Sequence, residues 1–398
     1  MSYLLSKNSE GIIPGVMTNV LKWTVSSDII SFAGGMPDPK LFPLDEVTLA
    51  AQKVAKEDGH IVLQYAPAEG HKGLKDYFRQ HFFTKEILTS VEGILPVCGV
   101  QQGLYLSCQL FLNSGDKILI TSPSYFGALQ TFDAFLVDYL TIALTEEGID
   151  LKELERLFKE EKPKFFYVIP NFQNPTGITL PQWQRQRIAE LALKYDVPIL
   201  EDDVFGDLYF ESSLKPIKAY APQQVIYLTS LSKTVASGFR LGFVVPPREL
   251  LSKYVLAKQL NDVNLNTYVQ YIVYELCKNG TFEKLLPILR TKYSERKDAL
   301  LDALSENCSD LASWTRPTGG MFLWLYLNDK SIDASKLLEY AANRGLVFLP
   351  GSAFFPHGSG GKSELRFSFS NLGPEKIHQG VRLFSRYVRA CPREFIDS

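Results

Sequence analysis

Three residues stand where chemistry could be done: Asn174, Asp202 and Lys233. Each follows a short apolar run. KFFYVIP (164–170) leads into Asn171-Phe172-Gln173-Asn174-Pro175-Thr176-Gly177, VPIL (197–200) into Glu201-Asp202-Asp203, and QVIYLTS (224–230) into Leu231-Ser232-Lys233. The intervals are those of successive βα units, roughly 30 residues each. In an open parallel sheet, ligands bind beyond the carboxyl ends of the strands. An amide, a carboxylate and an amine are therefore expected at one edge of a sheet. A buried lysine can lose its proton and form a Schiff base with an aldehyde. A carboxylate can keep a pyridine nitrogen protonated, so that the ring accepts electrons from a carbanion. An amide can donate to a ring hydroxyl. Taken singly, each residue has a plainer account. Asn-Pro-Thr-Gly is a competent turn, an acidic pair at a strand end often caps a helix, and a lysine after a strand is usually a solvated charge. Coincidence explains the three together much less well.

The joint chemistry is that of pyridoxal phosphate, whose phosphate needs a cradle. Cys98-Gly99-Val100-Gln101-Gln102-Gly103 lies where a strand should give way to a helix over about 101–112. Free N–H groups and the helix dipole favour an anion there, although alone the segment reads as a glycine turn. Around Lys233 the sequence supplies Ser230, Ser232 and, seven residues on, Arg240. These bring two hydroxyls and a cation. A guanidinium near Lys233 would also help keep the amine neutral.

The elements that must position these groups are visible in the hydrophobic pattern. From about residue 95, apolar β-branched runs alternate with helical patterns. The runs are KILITSP (117–123), DYLTIAL (138–144), KFFYVIP, VPILEDD (197–203), QVIYLTS and RLGFVVP (240–246); between them lie LKELERLFKEE (151–161) and PQWQRQRIAELALKY (181–195). This rhythm predicts an α/β fold with a mainly parallel sheet. After residue 280 the pattern changes. An amphipathic helix over about 281–307 leads to FLWLYL, VFLPG and ELRFSFS, which predict a smaller α+β domain. Before the large domain, VMTNVLKW (16–23) has helical spacing and IISFAGGMPDPKLFP (29–43) is rich in glycine and proline, suited to a linker or to close approach of backbone to a ligand. The expected division is an extended arm over 1–14, a small-domain segment over 15–40, a large domain over 41–280 and a C-terminal small domain over 281–398.

Composition narrows the function classes. The chain has 398 residues, enough for two to three domains, with 45% hydrophobic and 22% charged residues. Lys plus Arg total 42 against 44 for Asp plus Glu, a formal net charge of −2. No nucleic-acid footprint appears at that level. Five cysteines without a C-x-x-C pair speak against a disulfide framework or a zinc site. No apolar run approaches membrane-helix length, and the N-terminus lacks a secretion-signal pattern. A reducing, cytoplasmic setting without metal, membrane or nucleic acid is expected.

With these motifs in hand, the chain resembles the class I/II, fold-type I pyridoxal-phosphate aminotransferases, in particular the 2-aminoadipate and kynurenine branch. ISFAGGMPDPKLFP, LQYAPAEGHKGLK, PNFQNPTG, LEDD, SLSKTVASGFRLGF, RPTGGMFLW and LRFSFS carry the likeness, from about Ile29 to Leu372. The resemblance implies a seven-stranded, mainly parallel sheet sandwiched by helices, pyridoxal 5'-phosphate as cofactor, and transfer of an amino group from an L-α-amino acid to a 2-oxo acid such as 2-oxoglutarate. It implies Lys233 as the Schiff-base lysine and proton carrier, Asp202 as the pyridinium partner, Asn174 as the ring-hydroxyl donor and Tyr125 as the ring stacked on the cofactor. Gly99, Val100, Gln101, Ser230, Ser232 and Arg240 become the phosphate neighbourhood. Tyr65 resembles the tyrosine that reaches the phosphate of a partner subunit, which implies a homodimer with shared sites. Arg366 resembles the clamp on the substrate α-carboxylate, with the backbone of Gly34 and Gly35 facing the same group. Without the family, Arg366 reads as an edge-strand surface charge.

Two positions depart from the family pattern. Phe205 stands where a tyrosine is usual, three residues after Asp202, so one bond to the ring hydroxyl is absent. Val100 stands where the cradle often has serine. The side chain of the substrate is marked more faintly. Acidic-substrate members commonly carry an arginine on an N-terminal helix, yet residues 1–78 contain none and Thr18 lies near that position. Neutral or aromatic donors are expected, with Lys22 able to assist an acidic one. Two other readings remain: a lyase or decarboxylase on the same scaffold, or a non-catalytic sensing module of the kind fused to DNA-binding domains. No winged-helix segment precedes residue 29, which weighs against the sensor.

Overall fold

The protein is described by a computed structural model over residues 6–12 and 29–390. The expected helix over 16–23, with Thr18 and Lys22, lies outside the described residues, as does Cys391. Within the arm, Lys7–Gly11 forms a 3-10 turn rather than extended chain. Gly11 sits against the Asp133 carbonyl, where a Cβ would come within 1.9 Å. Only glycine lets the arm lie that close to the large domain.

In chain order the strands are β1 (Ile30–Ser31), β2 (Leu95–Val97), β3 (Lys117–Ser122), β4 (Asp138–Ala143), β5 (Phe166–Val168), β6 (Ile199–Asp202), β7 (Val225–Ser230) and β8 (Gly242–Val245). They continue with β9 (Ala312–Trp314), β10 (Phe322–Leu327), β11 (Leu346–Val347), β12 (Leu349–Pro350) and β13 (Glu364–Ser368). The seven-stranded sheet runs β2-β8-β7-β6-β5-β3-β4. Neighbours from β7 to β4 are parallel, whereas β8 is antiparallel to both β7 and β2. β8 returns directly after the loop bearing Lys233 and Arg240, with no crossover helix to make it parallel.

Strand alternation divides the core. Phe166, Val168 and Ile199 pack on one face among Leu154, Leu157, Phe158 and Ile188. Tyr167, Leu200 and Ile226 pack on the other among Leu104, Cys108, Leu129 and Phe132. Both faces are covered by helices, which is why these strands read as continuous apolar runs. The helix Leu151–Glu160 shows the local logic. Asp150 caps it by accepting from the Lys152 and Glu153 N–H groups, and its buried residues Leu154, Leu157 and Phe158 form one stripe. Burying such residues contributes about 1.5–3 kcal/mol each.

The smaller unit has an antiparallel sheet β12-β13-β10-β9, with helices Thr281–Cys308, Ala334–Ala342 and Pro374–Arg389 among its elements. β1 pairs in parallel with β11. The segment after residue 29 therefore crosses over to this unit before the chain builds the large sheet. β13 lies between β12 and β10, so Arg366 is on an inner strand and only 2% exposed. The edge-strand surface reading of Arg366 is thereby corrected.

Candidate active site

Beyond the carboxyl ends of β5, β6 and β7 lies a cavity of about 340 Å³. Asn174, Asp202, Ser230, Ser232 and Lys233 reach it from those ends; Val100, Gln101 and Tyr125 line it from neighbouring loops and helix starts. Gly35 and Arg366 close it from the smaller unit, and Arg240 from the turn before β8. The site is thus built between the two units.

Lys233 follows β7 and sits half-buried. Its Nζ donates to the Gly35 carbonyl at 2.7 Å. Burial pulls the amine down to about 8, and the positive charges of Arg366 and Arg240 push the same way. This is the neutralising effect expected of Arg240, with burial the stronger cause.

Asp202 is 2% exposed. Its Oδ2 accepts from Tyr167 Oη at 2.8 Å, while its Oδ1 is buried without a partner. Burial pushes the carboxyl up to about 7; the neighbouring Asp203 charge adds to this, and the Tyr167 bond opposes it. A buried carboxylate oxygen without a partner is costly. A cationic N–H placed against Oδ1 would satisfy it and favour the ionised acid. Asp202 therefore fits a protonated pyridine nitrogen.

The polar ends of the cavity are equally specific. Arg240 adopts a left-handed backbone, φ 49°. Its Nη1 donates to Ser232 Oγ at 3.2 Å, and Ser232 Oγ also accepts from Ser230 Oγ at 2.9 Å. The helix Gly99–Phe111 begins at Gly99, two residues earlier than its sequence pattern suggests, so its first turn contains Val100 and Gln101. A Cβ on Gly99 (φ +69°) would sit 2.7 Å from Arg240 Nη2. Guanidinium, hydroxyls and helix start converge here, a fit for a phosphate group.

On the other side, Arg366 Nη1 donates to Asn174 Oδ1 at 2.8 Å and Nη2 to the Ala33 carbonyl, leaving Nε buried without a partner. Phe322 stacks beneath the guanidinium, 4.1 Å from ring centroid to Cζ. Phe205, in place of the usual tyrosine, is buried edge-on to Phe322 at 5.6 Å between centroids.

The class I and II aminotransferase family model matches residues 27–384. A 2-aminoadipate transaminase of Thermus thermophilus is 38% identical over 98% of this chain and 97% of its own. An aromatic-amino-acid aminotransferase of Thermococcus litoralis is 35% identical over 96% of this chain and 94% of its own. Among solved structures, an α-aminoadipate aminotransferase of Thermus thermophilus, complexed with N-(5'-phosphopyridoxyl)-L-leucine, superposes with a TM-score of 0.91, 36% identity and 97% coverage of both chains.

The chain belongs to the class I and II aminotransferases. It has the fold-type I architecture, its cofactor is pyridoxal 5'-phosphate, and it transfers an amino group between amino and 2-oxo acids. Around the cavity of this aminotransferase, several sequence candidates come together and others do not. Gly99 and Gly34 are not among the residues that line it, although their neighbours Val100 and Gly35 are. Tyr65 is 81% exposed and outside the cavity of its own chain. Residues not singled out in the sequence include Tyr167, which orients Asp202, together with Met36, Phe126, Ile169, Val204 and Phe322 on the cavity wall. Tyr167 carries a faint signal, as a hydroxyl in an otherwise apolar strand that must find a partner when buried. The wall residues carry none, because they look like ordinary core.

Proposed function

We propose that this aminotransferase acts on neutral or aromatic L-amino acids, with 2-oxoglutarate as a workable acceptor, through the following division of labour. Lys233 holds the cofactor and, once freed from it, moves the proton from the substrate α-carbon. When bound, the cofactor supplies an aldehyde for the substrate amine and a ring that accepts electrons. Asp202 keeps the ring nitrogen cationic, Asn174 donates to the ring hydroxyl, and Tyr125 covers the ring. Ser230, Ser232, Arg240 and the helix start at Gly99, Val100 and Gln101 hold the phosphate. Arg366 grips the α-carboxylate with two parallel bonds, with the Gly35 backbone beside it. That grip fixes the α C–H bond relative to Lys233.

One observation carries this reading: the unpartnered Oδ1 of Asp202 and the low-pKa amine of Lys233 face one cavity. The leaning to neutral donors rests on the walls, where Met36, Phe126 and Phe322 supply apolar surface, and on the lack of arginine before Arg79. A panel of amino donors with 2-oxoglutarate, scored by formation of the pyridoxamine form, tests it. Turnover of 2-aminoadipate far above leucine and phenylalanine would refute the leaning. Release of ammonia or carbon dioxide instead would favour a lyase or decarboxylase.

The working unit is a homodimer in which Tyr65 reaches the partner's phosphate site. Tyr65 and Leu63 are exposed beside the helix Gly59–Val62, an apolar surface suited to a second copy. Sedimentation of the holoenzyme as a monomer would remove this element. Among the described residues no helix is long and apolar enough to cross a membrane. Cys98, Cys108, Cys277 and Cys308 are free thiols, which suits a cytoplasmic setting; cell fractionation checks it.

A further inference from the structure

Behind Asp202 lies a buried polar chain that none of the roles above uses. Successive strand residues point to opposite faces, so Asp202 turns to the cavity and Asp203 turns away. Asp203 is 3% exposed. Its Oδ1 accepts from Asn171 Nδ2 at 2.7 Å, and its Oδ2 from Tyr227 Oη at 2.7 Å. Asn171 Oδ1 accepts in turn from Arg185 Nη2 at 2.6 Å. Arg185, fully buried, also donates to the Pro170 and Leu180 carbonyls at 2.9 Å. Lys85 Nζ stands 4.0 Å from Asp203 Oδ2, bonded to Asp207 at 2.8 Å.

These bonds cross the elements that carry the active groups. Asn171 and Asn174 lie in the same loop after β5. Asp203 adjoins Asp202. Tyr227 lies on β7, the strand that ends at Ser230 and leads into Lys233. The Asp203 backbone joins the same strand: its N–H donates to the Leu228 carbonyl at 2.8 Å, and its carbonyl accepts from Thr229 Oγ1 at 2.9 Å. A Cβ on Gly206 would lie 2.4 Å from both Asp203 carboxylate oxygens, so the following turn closes directly on this group. A buried carboxylate with a partner on each oxygen tolerates little displacement, because any shift strands a charge.

We propose that Asp203 is a positioning residue: by bonding Asn171 and Tyr227 together, it fixes the separation of the Asn174 amide and the Asp202 carboxylate that receive the cofactor's hydroxyl and ring nitrogen. The inference rests on the roles assigned above to Asn174 and Asp202.

The test compares Asp203→Asn with the double variant Asp203→Asn/Asn171→Asp. In the single variant the new amide N–H either meets Asn171 Nδ2, donor against donor, or donates to Tyr227 Oη and leaves the tyrosine proton without its acceptor, so in both orientations one buried donor is left unsatisfied. In the double variant the polarity is reversed and the bonds return: position 171 accepts from Arg185 and from the amide at 203, whose oxygen accepts from Tyr227. Three quantities are measured: the dissociation constant of apoenzyme for pyridoxal phosphate, the pH midpoint of the bound cofactor's visible absorbance, and the apoenzyme melting temperature. The single variant is expected to bind about tenfold more weakly, the effect of one unsatisfied buried group, and to titrate at a shifted midpoint. The double variant is expected within about threefold of wild type, with the midpoint restored. Wild-type binding and titration in the single variant would overturn the inference, as would a folded double variant that stays as weak as the single. If either fails to fold, Tyr227→Phe, which removes one bond, takes its place; unchanged binding and midpoint there would overturn the inference equally. Wild-type protein that gave no borohydride-trapped adduct at Lys233 would instead indict the underlying site assignment.

Discussion

Lys233 Nζ and the Gly35 carbonyl are joined by a 2.7 Å hydrogen bond that spans the cleft. The amine belongs to the large sheet, and the carbonyl to a segment hung from the smaller unit. That segment is held at Ala33 by Arg366, at Met36 by Ser370 Oγ, and at Asp38 by Arg296. The proposed nucleophile is therefore in direct contact with the segment on which the substrate carboxylate would rest.

The amine chemistry follows from this placement. Lys233→Ala should abolish transamination by at least about 10⁴-fold, since both the covalent anchor and the proton carrier are lost. Borohydride reduction of the wild-type holoenzyme followed by peptide mapping should label Lys233, and the variant should carry no label.

The low pKa of this amine gives a pH prediction. The neutral form attacks an aldehyde, so the rate at which apoenzyme takes up pyridoxal phosphate should rise with pH and level off near pH 8. Stability carries the same signature. The folded pKa of about 8 lies below the ordinary lysine value of 10.5, so between these values the unfolded chain binds more protons. Apoenzyme stability should therefore rise with pH through that window. Melting curves of Lys233→Met apoenzyme should show a flatter rise there, and an unchanged slope would contradict the assignment.

Asp202→Asn should retain the cofactor but lose the charge that keeps its nitrogen protonated. A loss of about 10²–10³-fold in kcat is expected, the scale of removing a preorganised electrostatic partner. Single-turnover absorbance with a good donor reads this directly. Tyr167→Phe should act in the same direction more weakly, because it frees the other oxygen of the same carboxylate.

Arg366→Lys should raise KM for amino donors by about 10–100-fold, because a point charge does not replace a two-pronged clamp. The Phe322 ring under the guanidinium adds a planar preference that lysine does not meet. Steady-state kinetics with leucine or phenylalanine will show it. A KM unchanged while kcat collapses would place Arg366 elsewhere in the reaction.

Phe205→Tyr should restore a hydroxyl beside the ring oxygen of the cofactor. Its bond favours the deprotonated form of the covalent Lys233 linkage, so the midpoint of the visible absorbance titration should fall by about one pH unit. An unmoved midpoint would mean that the ring edge facing Phe322 keeps the new hydroxyl away from the cofactor.

By itself the sequence determined the strand ends and what they carry. Asn174, Asp202 and Lys233 could be placed at one edge because β5, β6 and β7 are covered on both faces and so read as uninterrupted apolar runs. The helix proposed to hold the phosphate was legible for a similar local reason, although it opens at Gly99, two residues earlier than its pattern suggests. Tertiary structure alone decided the rest. Arg366 lies between two strands of a second sheet, and its burial depends on pairings that no local pattern specifies. Tyr167 and Asp203 take their partners from other strands, and Met36 and Phe322 become walls only when the two units meet. Hydrophobic periodicity records which face a residue turns to, but a hydrogen bond or a cavity wall depends on which distant segment arrives there, and that is settled by the packing of the whole chain.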